Sequence, residues 1–204
     1  MIRKAPACYK EKFLTEGISG IINELEVNME ELQLVPVTAA DVKIIAEYCA
    51  AFPESRMRVT YEENRIPGLD HLEEYDDIAD WLQYTALMRW GITWFKTIRC
   101  SDGKMVGAVI LRHDLQYDDD DPEFASHIGY SVRPDERRKG YAKAQLRLAL
   151  EEARKIGLES VRIVCVDYNT ASRRTIEACG GVLRDSIRGE ESGLEVLRFD
   201  VAAG

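Results

Sequence analysis

No Cys-x-x-Cys pair occurs in this chain, and its five cysteines (Cys8, Cys49, Cys100, Cys165, Cys179) leave one over. That pattern fits reduced thiols and excludes a disulfide scaffold or a zinc ribbon. No apolar run approaches the ~20 residues that cross a bilayer. No Gly-x-x-x-x-Gly-Lys-[Ser/Thr] is present, which removes the P-loop nucleotide-binding proteins. Positive charge is scarce: 27 Lys and Arg stand against 36 Asp and Glu, a net charge of −9. Neither nucleic acid nor an anionic membrane is expected as a partner, since neither would be attracted. The acidic run Asp118-Asp119-Asp120-Asp121 and the three histidines show no recognised ligand spacing, so no metal is expected. After Met1-Ile2-Arg3-Lys4 come Lys10, Glu11 and Lys12 instead of an apolar stretch; a signal peptide is not expected and the cytoplasm is the default compartment. Repeats and low-complexity tracts are lacking too.

What remains is the composition of an ordinary globular protein, with 46% hydrophobic and 31% charged residues in 204. Such a length suits one domain with a short appendage. Residues 1–30 read as that appendage, a helical arm with a packing or homodimer role, and 31–204 as the domain. A first strand is predicted over Leu32–Pro36. Thr38 and Asp41 then cap a helix reaching Ala51, and a second helix runs from Leu72 to Met88. Thr93–Ile98 and Lys104–Arg112 form a hairpin about Asp102-Gly103. Strand Ala125–Val132, a helix from Arg138 to Ile156, strand Val161–Val166, a helix over Thr170–Cys179 and a last pair, Val182–Arg184 with Leu194–Val201, complete an α/β chain.

The most informative stretch is Gly129-Tyr-Ser-Val-Arg-Pro-Asp-Glu-Arg-Arg-Lys-Gly-Tyr-Ala142. A strand ends in a proline turn, and a basic loop with a glycine opens an amphipathic helix. The first N–H groups of a helix are unpaired and sit at the positive end of its dipole, so they suit a phosphate. Gly140 and Ala142 let an anion approach the backbone, while Arg137, Arg138, Lys139 and Lys143 add charge. A diphosphate site is the expectation.

Arg137-Arg138-Lys139-Gly140-Tyr141-Ala142 matches [Arg/Gln]-x-x-Gly-x-[Gly/Ala], and with the strand before it, the helix after it and Asn169 beyond the next strand, the sequence resembles the GNAT superfamily of acyl-CoA-dependent N-acyltransferases. The resemblance implies a mixed, mostly antiparallel twisted sheet of six to seven strands, with two splayed central strands and flanking helices. It implies acetyl-CoA as acyl donor. The pantetheine arm would lie in the splay along Tyr130, Ser131 and Val132, with the thioester carbonyl near the Ile128–Tyr130 backbone. Asn169 and Ser172 match the family's Asn-x-x-[Ala/Ser] element beside the coenzyme.

Two departures concern the chemistry. The position six residues before Val132, where some members carry a carboxylate base, is Ser126. His127, with a reference pKa near 6.5, and Glu123 are alternatives for taking the amine's proton; a histidine packed in the sheet is the other reading of His127. The position seven after Asn169, often a tyrosine acid, is Ile176, which leaves Tyr168, Tyr141 and Tyr130 as sources of a hydroxyl. The function expected is acetyl transfer from acetyl-CoA to a primary amine of a small cationic molecule, by direct attack in a ternary complex. A non-catalytic acyl-CoA sensor is the competing reading.

Overall fold

A computed structural model describes residues 32–52, 65–117, 125–189 and 193–204. The arm over 1–30, the acidic run, most of residues 54–69 and Glu123 lie outside the described residues.

Among the described residues seven strands form two sheets. The first holds β1 (Leu32–Pro36), β2 (Ile92–Arg99), β3 (Met105–Arg112) and β4 (Ile128–Val132) in that order. The second holds β5 (Ser160–Val166), β7 (Glu195–Ala202) and β6 (Val182–Arg188), with β7 between the other two. All the ladders among the described residues are antiparallel. β3 is buried at every position, as its unbroken apolar run Met105–Leu111 demands of a strand covered on both faces.

Four α-helices among the described residues cover the sheets: α1 (Val42–Cys49), α2 (Ile78–Leu87), α3 (Tyr141–Lys155) and α4 (Thr170–Ala178). Asp41 accepts from the Thr38 N–H at 2.7 Å and from its hydroxyl at 2.9 Å, closing the chain ahead of α1. Leu146, Ala149, Leu150 and Ala153 of α3 pack with Phe199 and Val201 of β7 and Val109 of β3 into one core. Ile45 and Tyr48 of α1, Trp81 and Leu82 of α2 and Trp94 of β2 make a second core on the opposite face. The first sheet is the wall between them.

Several boundaries differ from the sequence-based expectation; β6 runs on to Arg188, past Arg184, and α1 stops at Cys49, short of Ala51. The segment from Leu72 is one 3-10 turn, and α2 starts only at Ile78 because Asp77 caps it, accepting from the Ala79 N–H at 2.8 Å. α3 begins at Tyr141, not Arg138, since Arg138 (φ 66°) and Gly140 (φ 82°) are left-handed and cannot belong to a right-handed helix. β4 begins at Ile128, not Ala125: the His127 N–H turns to the Arg162 carbonyl of β5, and only the His127 carbonyl still bonds to β3.

Candidate active site

β4 and β5 lie side by side in different sheets, and where they touch is specific. The His127 N–H donates to the Arg162 carbonyl at 2.9 Å, and the Arg162 N–H donates to Nδ1 of His127 at 2.9 Å. From that junction the strands diverge, and no ladder joins them among the described residues. Arg112 donates to the His127 carbonyl, and Arg133 to that of Val106. In an antiparallel strand alternate residues face the partner, so the odd-numbered residues of β4 bond to β3. The peptide groups of Ile128 and Tyr130 therefore point into the gap.

The gap is part of a cavity of about 570 Å³. Its walls include Ile128 to Val132 on one side, Val164, Cys165 and Val166 on the other, and Asn169, Ser172 and Thr175 along α4. At its outer end are Arg137, Arg138, Gly140, Tyr141, Ala142 and Lys143. The first intrahelical bond of α3 runs from the Ala144 N–H to the Gly140 carbonyl at 3.1 Å, so the N–H groups of Tyr141, Ala142 and Lys143 precede the ladder. No side chain caps this terminus. Donors, dipole and nearby cations are the features that suit an anion.

The loop before α3 is held from below by one carboxylate. Glu136, only 4% exposed, accepts from Lys104 at 2.6 Å, Lys139 at 2.7 Å and Arg99 at 2.8 Å. Burial alone would raise its pKa, but these three cations bring it down to about 2. Lys139 is thus turned to Glu136 and does not line the cavity. Arg99 also donates to the Tyr141 hydroxyl at 3.1 Å. Arg137 donates through Nε to the Val132 carbonyl at 3.2 Å, fixing its guanidinium at the end of β4.

The other expected residues separate into those inside the cavity and those outside. Asn169 caps α4, accepting from the Ser172 N–H at 3.1 Å. The Ser172 hydroxyl lies 3.1 Å from that of Tyr130, so a tyrosine from β4 spans the gap to α4. Burial raises the Tyr130 pKa, and its hydroxyl keeps its proton. Ser131 is turned to the α1 face, 3.0 Å from the Tyr48 hydroxyl, and its carbonyl accepts from Gln145 at 3.0 Å. Ile176 is wholly buried in the core. Tyr168 is 58% exposed and stands outside the cavity. Burial pushes the Cys165 thiol up to about 11, so it is no thiolate nucleophile.

Burial, and then the Arg162 charge, lower the His127 pKa. A neutral imidazole whose Nδ1 accepts an amide N–H carries its own proton on Nε2 and has no lone pair to offer. The Ser126 hydroxyl donates to the Ile128 carbonyl at 3.0 Å.

At the inner end of the cavity stand three charged residues that no motif marked: Arg65, Asp70 and Arg112. Asp70 accepts from Arg112 at 2.7 Å and lies 3.4 Å from Arg65. Arg112 also donates to the Ser126 carbonyl at 3.2 Å. Burial would raise the Asp70 pKa, yet the charges of Arg112 and Arg65 hold it below the usual carboxylate range. Arg112 and Asp70 stand 42 residues apart along the chain, so no spacing pattern could join them. Among the described residues no cluster of three or more metal-ligating side chains occurs, and no helix is long and apolar enough to cross a membrane.

Residues 31–182 match the family model described as an acetyltransferase (GNAT) domain. No curated protein matches the sequence. Solved structures do match in shape. A ribosomal-protein-S5-alanine acetyltransferase from Vibrio fischeri is 14% identical, with 85% of this chain and 93% of that one covered and a TM-score of 0.64. The microcin C7 self-immunity acetyltransferase MccE, solved with acetyl-CoA and AMP, is 12% identical, with 88% and 97% covered and a TM-score of 0.65. YncA from Salmonella typhimurium, described as a putative acetyltransferase with its cofactor acetyl-CoA, is 14% identical, with 85% and 95% covered and a TM-score of 0.60. At such identities the likeness is one of fold.

Proposed function

The chain belongs to the GNAT family of acetyltransferases, and from that premise we propose that it transfers an acetyl group from acetyl-CoA to a primary amine of a small cationic molecule, in a ternary complex. The proposal rests on one observation: a single cavity joins the uncapped N-terminus of α3 to the open peptide groups of β4. The diphosphate takes the N–H groups of Tyr141, Ala142 and Lys143, with Arg137, Arg138 and Lys143 supplying charge. The pantetheine arm lies between β4 and β5, along Tyr130 to Val132 and past Asn169 and Ser172. The Tyr130 N–H faces the thioester carbonyl, where a fixed donor stabilises the negative charge that develops on attack.

Roles among the expected catalytic residues follow from their bonds. His127 pins the two strands where the splay begins; it does not accept the amine's proton. Tyr130, not Tyr168, presents a protonated hydroxyl toward the departing sulfur. Ser126 orients the chain entering β4. Lys139 steadies the loop through Glu136.

Calorimetry with acetyl-CoA and thiol release with a panel of small amines test this. Binding together with turnover of at least one alkylamine is expected. Binding with no turnover on any amine would instead describe an acyl-CoA sensor.

A further inference from the structure

The strand position that holds a carboxylate base in some relatives is Ser126 here; among the described residues that line the cavity the carboxylates are Asp70 and Glu136, and Glu136 is taken up by Lys104, Lys139 and Arg99. The turn carrying Asp70 is pressed onto the sheet at two glycines. Gly68 has φ +91°, and a Cβ there would stand 2.6 Å from the Ala108 carbonyl oxygen. A Cβ on Gly129 would come within 2.9 Å of Ile110 Cγ2 and 3.6 Å of Asp70 Oδ2. With no side chain at either place, the Asp70 carboxylate lies directly against the middle of β4. Arg112 ties it to the end of that strand, donating to both Asp70 and the Ser126 carbonyl. The Asp70 carbonyl accepts from Trp81 Nε1 at 3.1 Å, so the turn is anchored in the second core.

We propose that Asp70 is the acceptor-binding carboxylate of this site: it holds the ammonium form of the amine beside Gly129 and orients it toward the thioester. This rests on the acetyl-transfer reading above. Asp70 is 4% exposed, yet it lines the cavity, so whatever it meets there meets it out of bulk water. A carboxylate in such a place stays ionised only with cations beside it, which Arg112 and Arg65 provide. Glu73, 3.8 Å from Arg65, balances the second guanidinium. The sequence of events conserves every atom and charge. The ammonium loses one proton to water. The freed nitrogen lone pair then attacks the thioester carbonyl carbon. As the C–S bond breaks, its electron pair leaves on sulfur, and the nitrogen's second proton ends on the thiolate. The products are an N-acetyl amine, coenzyme A and one proton.

The test compares wild type and Asp70→Asn on two acceptors at pH 7.5: an alkylamine, which is almost all ammonium, and methoxyamine, which is neutral. The loss in kcat/KM is expected to be about 30-fold for the alkylamine, the worth of a charge-assisted hydrogen bond to its ammonium, and less than about threefold for methoxyamine, with acetyl-CoA affinity unchanged. Raising the pH toward the alkylamine's pKa narrows the first deficit. Equal losses on both acceptors, or no loss on either, overturn the proposal. If Asp70→Asn does not fold, Asp70→Glu keeps the charge for Arg112 while moving the oxygens by one methylene. It is expected to slow the alkylamine selectively, and a uniform effect again overturns the proposal. A wild-type protein that binds acetyl-CoA and acetylates no amine defeats the acetyl-transfer reading itself, and the role of Asp70 falls with it.

Discussion

His127 and Arg162 hold each other through two hydrogen bonds of 2.9 Å, one from each backbone N–H, and only one of these uses a side chain. This pair sets where β4 and β5 part and so where the gap between them opens. An asparagine can mimic Nδ1, since its carbonyl oxygen accepts the same N–H. His127→Asn is therefore expected to keep turnover within about twofold of wild type, and His127→Ala to lose about 1–3 kcal/mol of stability by leaving the Arg162 N–H unpaired. Denaturant unfolding and steady-state rates decide it. Inactivity of a folded, coenzyme-binding His127→Asn would return the imidazole to the role of base.

The same residue gives a pH dependence whose sign is fixed. Its pKa in the fold lies below that of the free side chain, so the unfolded chain takes up the proton first. The stabilisation is fully present above about pH 6.5 and is lost as the pH falls from there through the folded pKa. Melting curves between pH 8 and 5 should drop more for wild type than for His127→Asn. Parallel drops would contradict the assignment.

Lys139 bonds to Glu136, whereas Lys143, four residues on, lines the cavity. Lys143→Ala should weaken acetyl-CoA binding by roughly tenfold, the worth of a charge-assisted contact. Lys139→Ala should change it by less than about threefold and act on the loop instead. Glu136→Gln, which leaves three cations around a neutral amide, should lower Tm by roughly 5 °C. Calorimetry on the lysine variants and thermal melts on Glu136→Gln measure these; a larger effect of Lys139 on affinity would count against the geometry.

Tyr130→Phe removes the hydroxyl that reaches Ser172 while keeping the ring in the core. If that hydroxyl assists the leaving sulfur, kcat falls and the KM for acetyl-CoA holds. Comparing acetyl-CoA with an acyl donor carrying a more acidic thiol is the discriminating experiment: the variant's deficit should shrink with the better leaving group. An unchanged deficit would make the hydroxyl structural.

Much of this was legible in the sequence because it is local. The Asp102-Gly103 hairpin, the Thr38–Asp41 cap, the apolar run of β3 and the heptad-like face of α3 are each set by neighbours a few residues apart. The basic loop was readable for the same reason, down to Gly140, whose φ of 82° no side chain tolerates easily. Side-chain direction was not. Strand alternation could not say that His127 would face a backbone amide of β5, nor the loop sequence that Lys139 would reach back to Glu136. Asp70 was invisible altogether: it reaches β4 only because two glycines allow a turn to touch the sheet, and nothing in a linear pattern pairs Gly68 with Ala108.

The most direct measurement is a crystal structure of the protein grown with acetyl-CoA. The diphosphate is expected within hydrogen-bond distance of the N–H groups of Tyr141, Ala142 and Lys143, and the thioester carbonyl against the Tyr130 N–H, between β4 and β5. A coenzyme lodged outside that cleft, or one with its phosphates away from the start of α3, would contradict the account.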